Sequence, residues 1–170
     1  KPKRTILFIG FAGEEFGLLG AQAWVKAHKD KLPKIANLFN RDGGPEPPVG
    51  ISVPQAMYDD FVKISEPIQK IRPDYPFEVK VREPRKRPTR MGGTDASVFA
   101  IEGVPTLGFT TEDFKGYDFD YGEIWHTERD LYTKNIPEYQ EHTATVTAII
   151  ALGVANLDKQ LSREGLYTEE

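Results

Sequence analysis

The 170-residue sequence contains no cysteine. That excludes disulfides, thiol nucleophiles and cysteine-built zinc sites. No apolar run approaches the ~20 residues that a helix needs to cross a bilayer, so no membrane span is expected. Basic residues do not dominate: 22 Lys and Arg stand against 26 Asp and Glu, a net charge of −4, which argues against a general nucleic-acid binder. Internal repeats and low-complexity segments are missing, and no signal peptide is visible. The chain opens at KPKRTILF, directly into an apparent core strand, which predicts an internal start and leaves missing targeting signals with little weight for location.

What is present is the length of one domain, with 39% hydrophobic residues for one core. Residues 5–11 are almost wholly apolar and read as a buried strand, followed by a helix over 17–30. A short strand is expected at 34–39, and a loop at 40–50, which is dense in turn formers. Residues 55–71 carry apolar side chains at Met57, Phe61, Ile64, Ile68 and Ile71, a helical period. Residues 77–81 alternate as a strand, 83–93 form a Pro- and Arg-rich loop, 95–101 a short helix and 104–109 a buried strand. A long aromatic, acidic loop covers 110–127. From Pro137, at a helix start, a long helix is expected to about residue 161. Alternating strands and helices indicate an α/β layered domain.

The candidates for chemistry stand at strand ends, where open α/β sheets keep their sites. Glu14 and Glu15 follow the first strand directly. There one acid can bind a cation while its neighbour handles a proton; the alternative is that both merely favour a helix N-terminus. Asp42 follows the second strand and precedes Gly43-Gly44, either a site residue or an Asx-turn residue. His126 follows the strand at 104–109. One imidazole with several carboxylates is the ligand set of a catalytic zinc, and a free carboxylate beside it can serve as general base. Trp125 is either core or the wall of a substrate pocket. Asp95 either caps its short helix, a role open to Thr94 as well, or acts as a supporting acid that shares a proton with Glu14 or orients a ligand. His28 and His142 read as structural or solvated. Six of the eleven residues from Lys80 to Arg90 are basic. They form a solvated loop, or else Arg85, Arg87 or Arg90 receives a substrate carboxylate.

Taken together, FAGEEFGLLGAQAW, NRDGG, GGTDASVFAIEGVPTLGF and IWHTERDLYTKN resemble the M28 family of metallopeptidases, which includes zinc aminopeptidases and carboxypeptidase Q-like enzymes. The third segment is most similar to the carboxypeptidase Q branch; EIWHTERD is also similar to the metal-histidine segment of glutaminyl cyclases. The resemblance implies a three-layer α/β/α sandwich around a mixed sheet. It implies Glu14 as general base, Glu15 and His126 on one zinc, and Asp42 on a second. Two further ligands, the His of an HxD motif and an Asp bridging both metals, belong upstream of the opening strand. Residues 1–170 are therefore expected to be the C-terminal part of a single peptidase catalytic domain, weak in zinc binding and inactive alone. The implied reaction is hydrolysis of a peptide bond next to a free N-terminus, by an aminopeptidase or dipeptidase acting on peptide substrates, in the periplasm or outside the cell. A single-zinc glutaminyl cyclase and a non-catalytic binding domain on the same scaffold are the alternatives.

Overall fold

The computed structural model describes residues 1–168. At its centre is a mixed three-stranded sheet in the order β2–β1–β3, made of β1 Pro48–Val53, β2 Glu78–Val81 and β3 Phe109–Thr111. β1 runs parallel to β2, with Gly50 facing Glu78 and Val53 facing Val81, and antiparallel to β3, with Ile51 opposite Phe109. A parallel pair needs a crossover. Here it is a 3-10 turn, Gln55–Met57, and helix α2, Tyr58–Ile71.

β1 overlaps the end of the stretch expected to be loop. Its prolines hid it: Pro48 is the first residue of the strand, where a missing N–H does not interrupt the ladder. Gly50 reads as a turn residue but serves close approach, since a Cβ there would collide with the Glu78 carbonyl of β2. Ile51 and Val53 are buried.

One helical layer is α2 with α5, Pro137–Asn156. Phe61, Ile64 and Ile68 of α2 meet Val146, Ile150 and Val154 of α5 in one cluster with Ile51, Val53 and Leu107. Spacings of three and four place each set on one face. α5 ends at Asn156, short of the expected 161. The opposite layer is α1, Leu19–Ala27, with α3, Ala96–Ile101. Ala21, Val25, Val98 and Phe99 are buried there with Leu32 and Val104. Between the layers run residues 35–39 and 104–108. Ile35, Leu38 and Val104 face the α1–α3 cluster, while Ala36, Phe39 and Leu107 face the α2–α5 cluster. This is the α/β sandwich the resemblance implied.

Two expected strands are extended but not laddered. Residues 35–39 and 104–108 are joined by the Leu38 N–H on Pro105 O at 2.9 Å. The Asn37 side chain completes the pairing: its Oδ1 accepts from Leu107 N at 2.8 Å and its Nδ2 donates to Leu107 O at 3.2 Å. A side chain thus stands where a second backbone would. The expected opening strand is a larger correction. Residues 5–11 are not paired, and Leu7, Phe8 and Ile9 are exposed, Phe8 to 93%. The segment is tied at its ends, by Arg4 N on Ala155 O at 3.1 Å and by Phe11 against Phe99 at 5.8 Å. Apolarity recorded its burial correctly only if a neighbouring strand lies beside it; strand structure is a property of the pair.

Candidate metal-binding and catalytic site

The acid doublet sits on a turn built by backbone bonds. The N–H groups of Gly17 and Leu18 both reach Glu14 O, at 3.0 and 2.8 Å. Leu19 N donates to Gly13 O at 3.1 Å and Gly20 N to Ala12 O at 2.8 Å. Gly13 and Gly17 have φ of 72° and 102°, which glycine adopts freely, and Leu18 follows at 61°. These carbonyls cap α1, so no side chain is needed. The helix begins four residues beyond Glu15, with no acid in its first turn. The doublet is therefore not a macrodipole device.

His126 comes from the other side. Helix α4, Tyr121–Ile124, is capped by Asp120, whose Oδ1 accepts from Gly122 N at 2.8 Å. It stops when Trp125 turns extended and His126 takes a left-handed φ of 57°. A non-glycine residue held there stores roughly 1–3 kcal/mol of strain, a feature common at functional sites. The result is contact: His126 Nε2 lies 3.2 Å from Glu15 Oε2. Trp125 stacks obliquely on the imidazole, ring centroids 4.7 Å apart, and is exposed.

Glu14, Glu15, Asp42, Trp125 and His126 line one open cleft of about 1200 Å³. Its walls add Arg41, Asp130, Lys134 and Asn135, none singled out from the sequence, and Tyr121 of the aromatic loop at 112–123, which the sequence offers either as a pocket wall or as surface packing. The loop bearing Asp42 is braced by Arg41, which donates to Glu46 O at 2.7 Å and to Gly44 O. Gly44 lets the Phe119 ring lie against the loop: a Cβ there would meet Phe119 Cε1 at 2.7 Å and displace the ring. The aromatic loop thus both leans on the site and packs on the body, Phe114 against Tyr75 and Tyr117 against Tyr139.

Electrostatics mark Glu14. Partial loss of solvation, then the charges of Asp42, Glu15 and Asp95, push its carboxyl above the usual 4.5, with His126 opposing. Such a carboxylate is more basic than a solvated one, as a general base requires. Asp95 is buried, and its Oδ1 meets no hydrogen-bond partner. It makes no side-chain cap; Thr94 Oγ1 accepts from Ala96 N at 3.3 Å instead. Burial, then the charge of Asp42, raises its pKa.

Two donors on one tetrahedral zinc, each at ~2.0–2.2 Å, stand about 3.3 Å apart. Glu15 and His126 stand at 3.2 Å, so this pair fits one ion. Among the described residues no three His, Cys, Asp or Glu side chains form a group able to hold a metal. Asp42 shares the cleft without joining the pair. The sequence spells one His-x-Asp, His28 to Asp30, at the far end of α1; His28 Nδ1 pairs with Trp24 O at 2.9 Å, and neither residue lines the cleft. The basic loop is also elsewhere. Arg87 Nε donates to Ile101 O at 2.8 Å, Arg82 reaches Leu166 O and Arg85 reaches Thr106 Oγ1. Arg82 and Arg87 fasten backbone carbonyls and Arg85 a hydroxyl, and no residue of 83–90 lines the cleft.

The pattern of Peptidase family M28 matches residues 1–150. Carboxypeptidase Q of Mus musculus is 24% identical over 168 residues, covering 96% of this chain and 32% of that protein. A probable zinc metalloprotease of Pyrenophora tritici-repentis is 50% identical over 42 residues, 25% of this chain and 10% of its own. Among solved structures, a peptidase M28 precursor from Shewanella amazonensis SB2B superposes with a TM-score of 0.70 at 26% identity, over 95% of this chain and 34% of that one. The chain spans about a third of the length of the carboxypeptidase Q relatives it matches. The acid doublet, the glycine-bounded aspartate and the left-handed histidine all fall inside the matched span, and the chain belongs to peptidase family M28.

Proposed function

We propose that these residues carry the general base and part of the metal-ligand set of a zinc-dependent exopeptidase that hydrolyses peptide bonds next to a free N-terminus. The observation that carries this is the Glu15–His126 pair at 3.2 Å with Glu14 beside it. A zinc ion bound there supplies Lewis acidity and lowers the pKa of water to ~7. Glu15 and His126 would hold that ion, and Asp42 would serve a second. Glu14 takes the proton of the attacking water and returns it to the leaving amine, a role its raised pKa favours. Asp95, itself buried, adds its charge to those that raise the Glu14 pKa. Trp125 and Tyr121 line the cleft as exposed aromatic walls for a substrate. With two ligands in contact instead of three, residues 1–168 alone hold zinc weakly and turn over little peptide.

The test uses the complete gene product, loaded with zinc, on a free and an N-acetylated peptide. Glu14→Gln lowers kcat by at least ~10²-fold while zinc stays bound. Undiminished turnover by this variant overturns the assignment. Release of an amino acid, as opposed to loss of ammonia from a glutaminyl peptide, separates peptidase from glutaminyl cyclase.

A further inference from the structure

The aromatic loop at 112–123 joins the α5 layer to the cleft, and one carboxylate shapes it. Asp113 is half-buried. Its Oδ1 accepts from the Tyr139 hydroxyl at 2.6 Å and from Tyr117 N at 3.0 Å, and its Oδ2 accepts from Phe119 N at 3.4 Å. Tyr139 belongs to α5 and is wholly buried, so one partner of this carboxylate is the core itself. Residues 113–119 curl around it through two left-handed residues, Gly116 at φ 72° and Asp118 at 58°. Lys115 adds a second anchor, its Nζ meeting Glu138 Oε2 at 2.7 Å and Asp74 Oδ2 at 3.3 Å, but none of these three residues lines the acid-bearing cleft.

The curl delivers the Phe119 ring onto Gly44, two residues past Asp42, with Tyr121 beside it. Adjacent glycines give the Asp42 loop more backbone freedom than other residues would, and neither brings a side chain to fix it. Its shape therefore depends on what holds it: Arg41 takes the Gly44 and Glu46 carbonyls, and Phe119 lies on Gly44. A continuous chain of contacts thus runs from Tyr139 through Asp113 and Phe119 to the segment bearing Asp42. The helix leading to His126 is fastened separately, by buried Ile124 and by Glu123 on Lys134 Nζ at 3.0 Å.

We propose that Asp113 is a positioning residue: it seats Phe119 on Gly44 and so holds Asp42 in place at the cleft. This rests on the peptidase reading, in which Asp42 serves the second zinc, and it gives the aromatic loop control of that ion alone.

The experiment measures tryptic cleavage and zinc affinity in the complete gene product. Asp113→Ala deletes the carboxylate, Phe119→Ala the ring, and Tyr139→Phe only the hydroxyl, keeping the core filled. Each speeds cleavage after Arg41 roughly tenfold, because the cut requires the loop to open, and leaves cleavage after Lys63 in α2 unchanged. Asp113→Ala and Phe119→Ala together open the loop no further than either alone, since both cut one chain of contacts. In chelator competition the zinc that Asp42→Ala abolishes weakens roughly tenfold, the scale of a lost outer partner, while the other zinc keeps its affinity. Asp113→Asn retains an oxygen for the Tyr139 hydroxyl and restores most of both effects. Unchanged cleavage after Arg41, or cleavage that rises equally after Lys63, overturns the proposal and leaves the peptidase reading intact. A complete protein that binds no zinc refutes the peptidase reading, and cleavage after Arg41 still decides whether Asp113 holds the loop.

Discussion

Gly20 and Ala12 touch through their backbones. The Gly20 amide donates to the Ala12 carbonyl at 2.8 Å, and a Cβ on Gly20 would meet Ala12 N and O at 2.7 Å. Seating of the acid-bearing turn on α1 depends on this missing side chain. Gly20→Ala gains up to ~1 kcal/mol of helix propensity but forces backbone apart, an overpacking cost of about 1–3 kcal/mol. We expect a lower melting temperature, read by circular dichroism, together with weaker zinc binding, because Glu14 and Glu15 move with the turn.

Removal of either member of the contact pair should cost metal. Glu15→Ala and His126→Ala in the complete protein each weaken zinc affinity by more than roughly 100-fold, beyond what loss of an outer partner causes. Competition with a chelating dye measures it. Trp125→Ala leaves zinc affinity within a few-fold, since the indole stacks on the imidazole without ligating.

Asp95 separates stability from activity. A buried carboxylate with an unpartnered oxygen is destabilising by about 1–3 kcal/mol, and the amide lessens that penalty. Asp95→Asn should therefore raise the melting temperature while lowering kcat. A stabilised variant with unchanged kcat would show that Asp95 plays no part in turnover.

Acid should loosen the α5 face through His142. Its ring is buried, stacked on Tyr75 at 3.8 Å, with Nε2 on Pro48 O at 3.0 Å and Nδ1 unpartnered. Burial holds its pKa below the usual 6.5, reinforced by Arg72 and Lys115 and opposed by the Pro48 contact and Asp74. The unfolded chain therefore binds more protons between the lowered value and 6.5, and unfolding free energy rises with pH across that window. Stability falls as pH drops below 6.5. His142→Gln lowers the melting temperature at pH 7.5 by losing the stack, yet flattens its further decline to pH 5. The depressed carboxyls of Asp113 and Glu138 titrate lower, below their usual 3.8 and 4.5, and are lost in a separate, more acid window.

Residues 5–11 present an unpaired backbone with Leu7, Phe8 and Ile9 exposed, which is a template for strand addition. The 170-residue chain should self-associate at micromolar concentration, as read by light scattering. Phe8→Lys should suppress that association without changing the melting temperature, because Phe8 is 93% exposed.

Local patterns determined the helices. The three- and four-residue spacing of Phe61, Ile64, Ile68 and of Val146, Ile150, Val154 is a one-dimensional signal, and each helix satisfies its own hydrogen bonds. The residue types of the candidate site were equally local: two acids and an aspartate just past extended segments, and a histidine just past the short helix α4. Only tertiary structure decided what depends on partners distant in sequence. β1 emerged from a stretch of prolines and glycines because β2 and β3 flank it, and residues 5–11 stayed bare for want of such a neighbour. The arginine-rich loop turned out to bind carbonyls and a hydroxyl, and Lys134 to line the cleft. Sequence sets which groups a segment can offer; the approach of 3.2 Å between Glu15 and His126 spans 111 residues of chain, and only the packing of the layers brings it about.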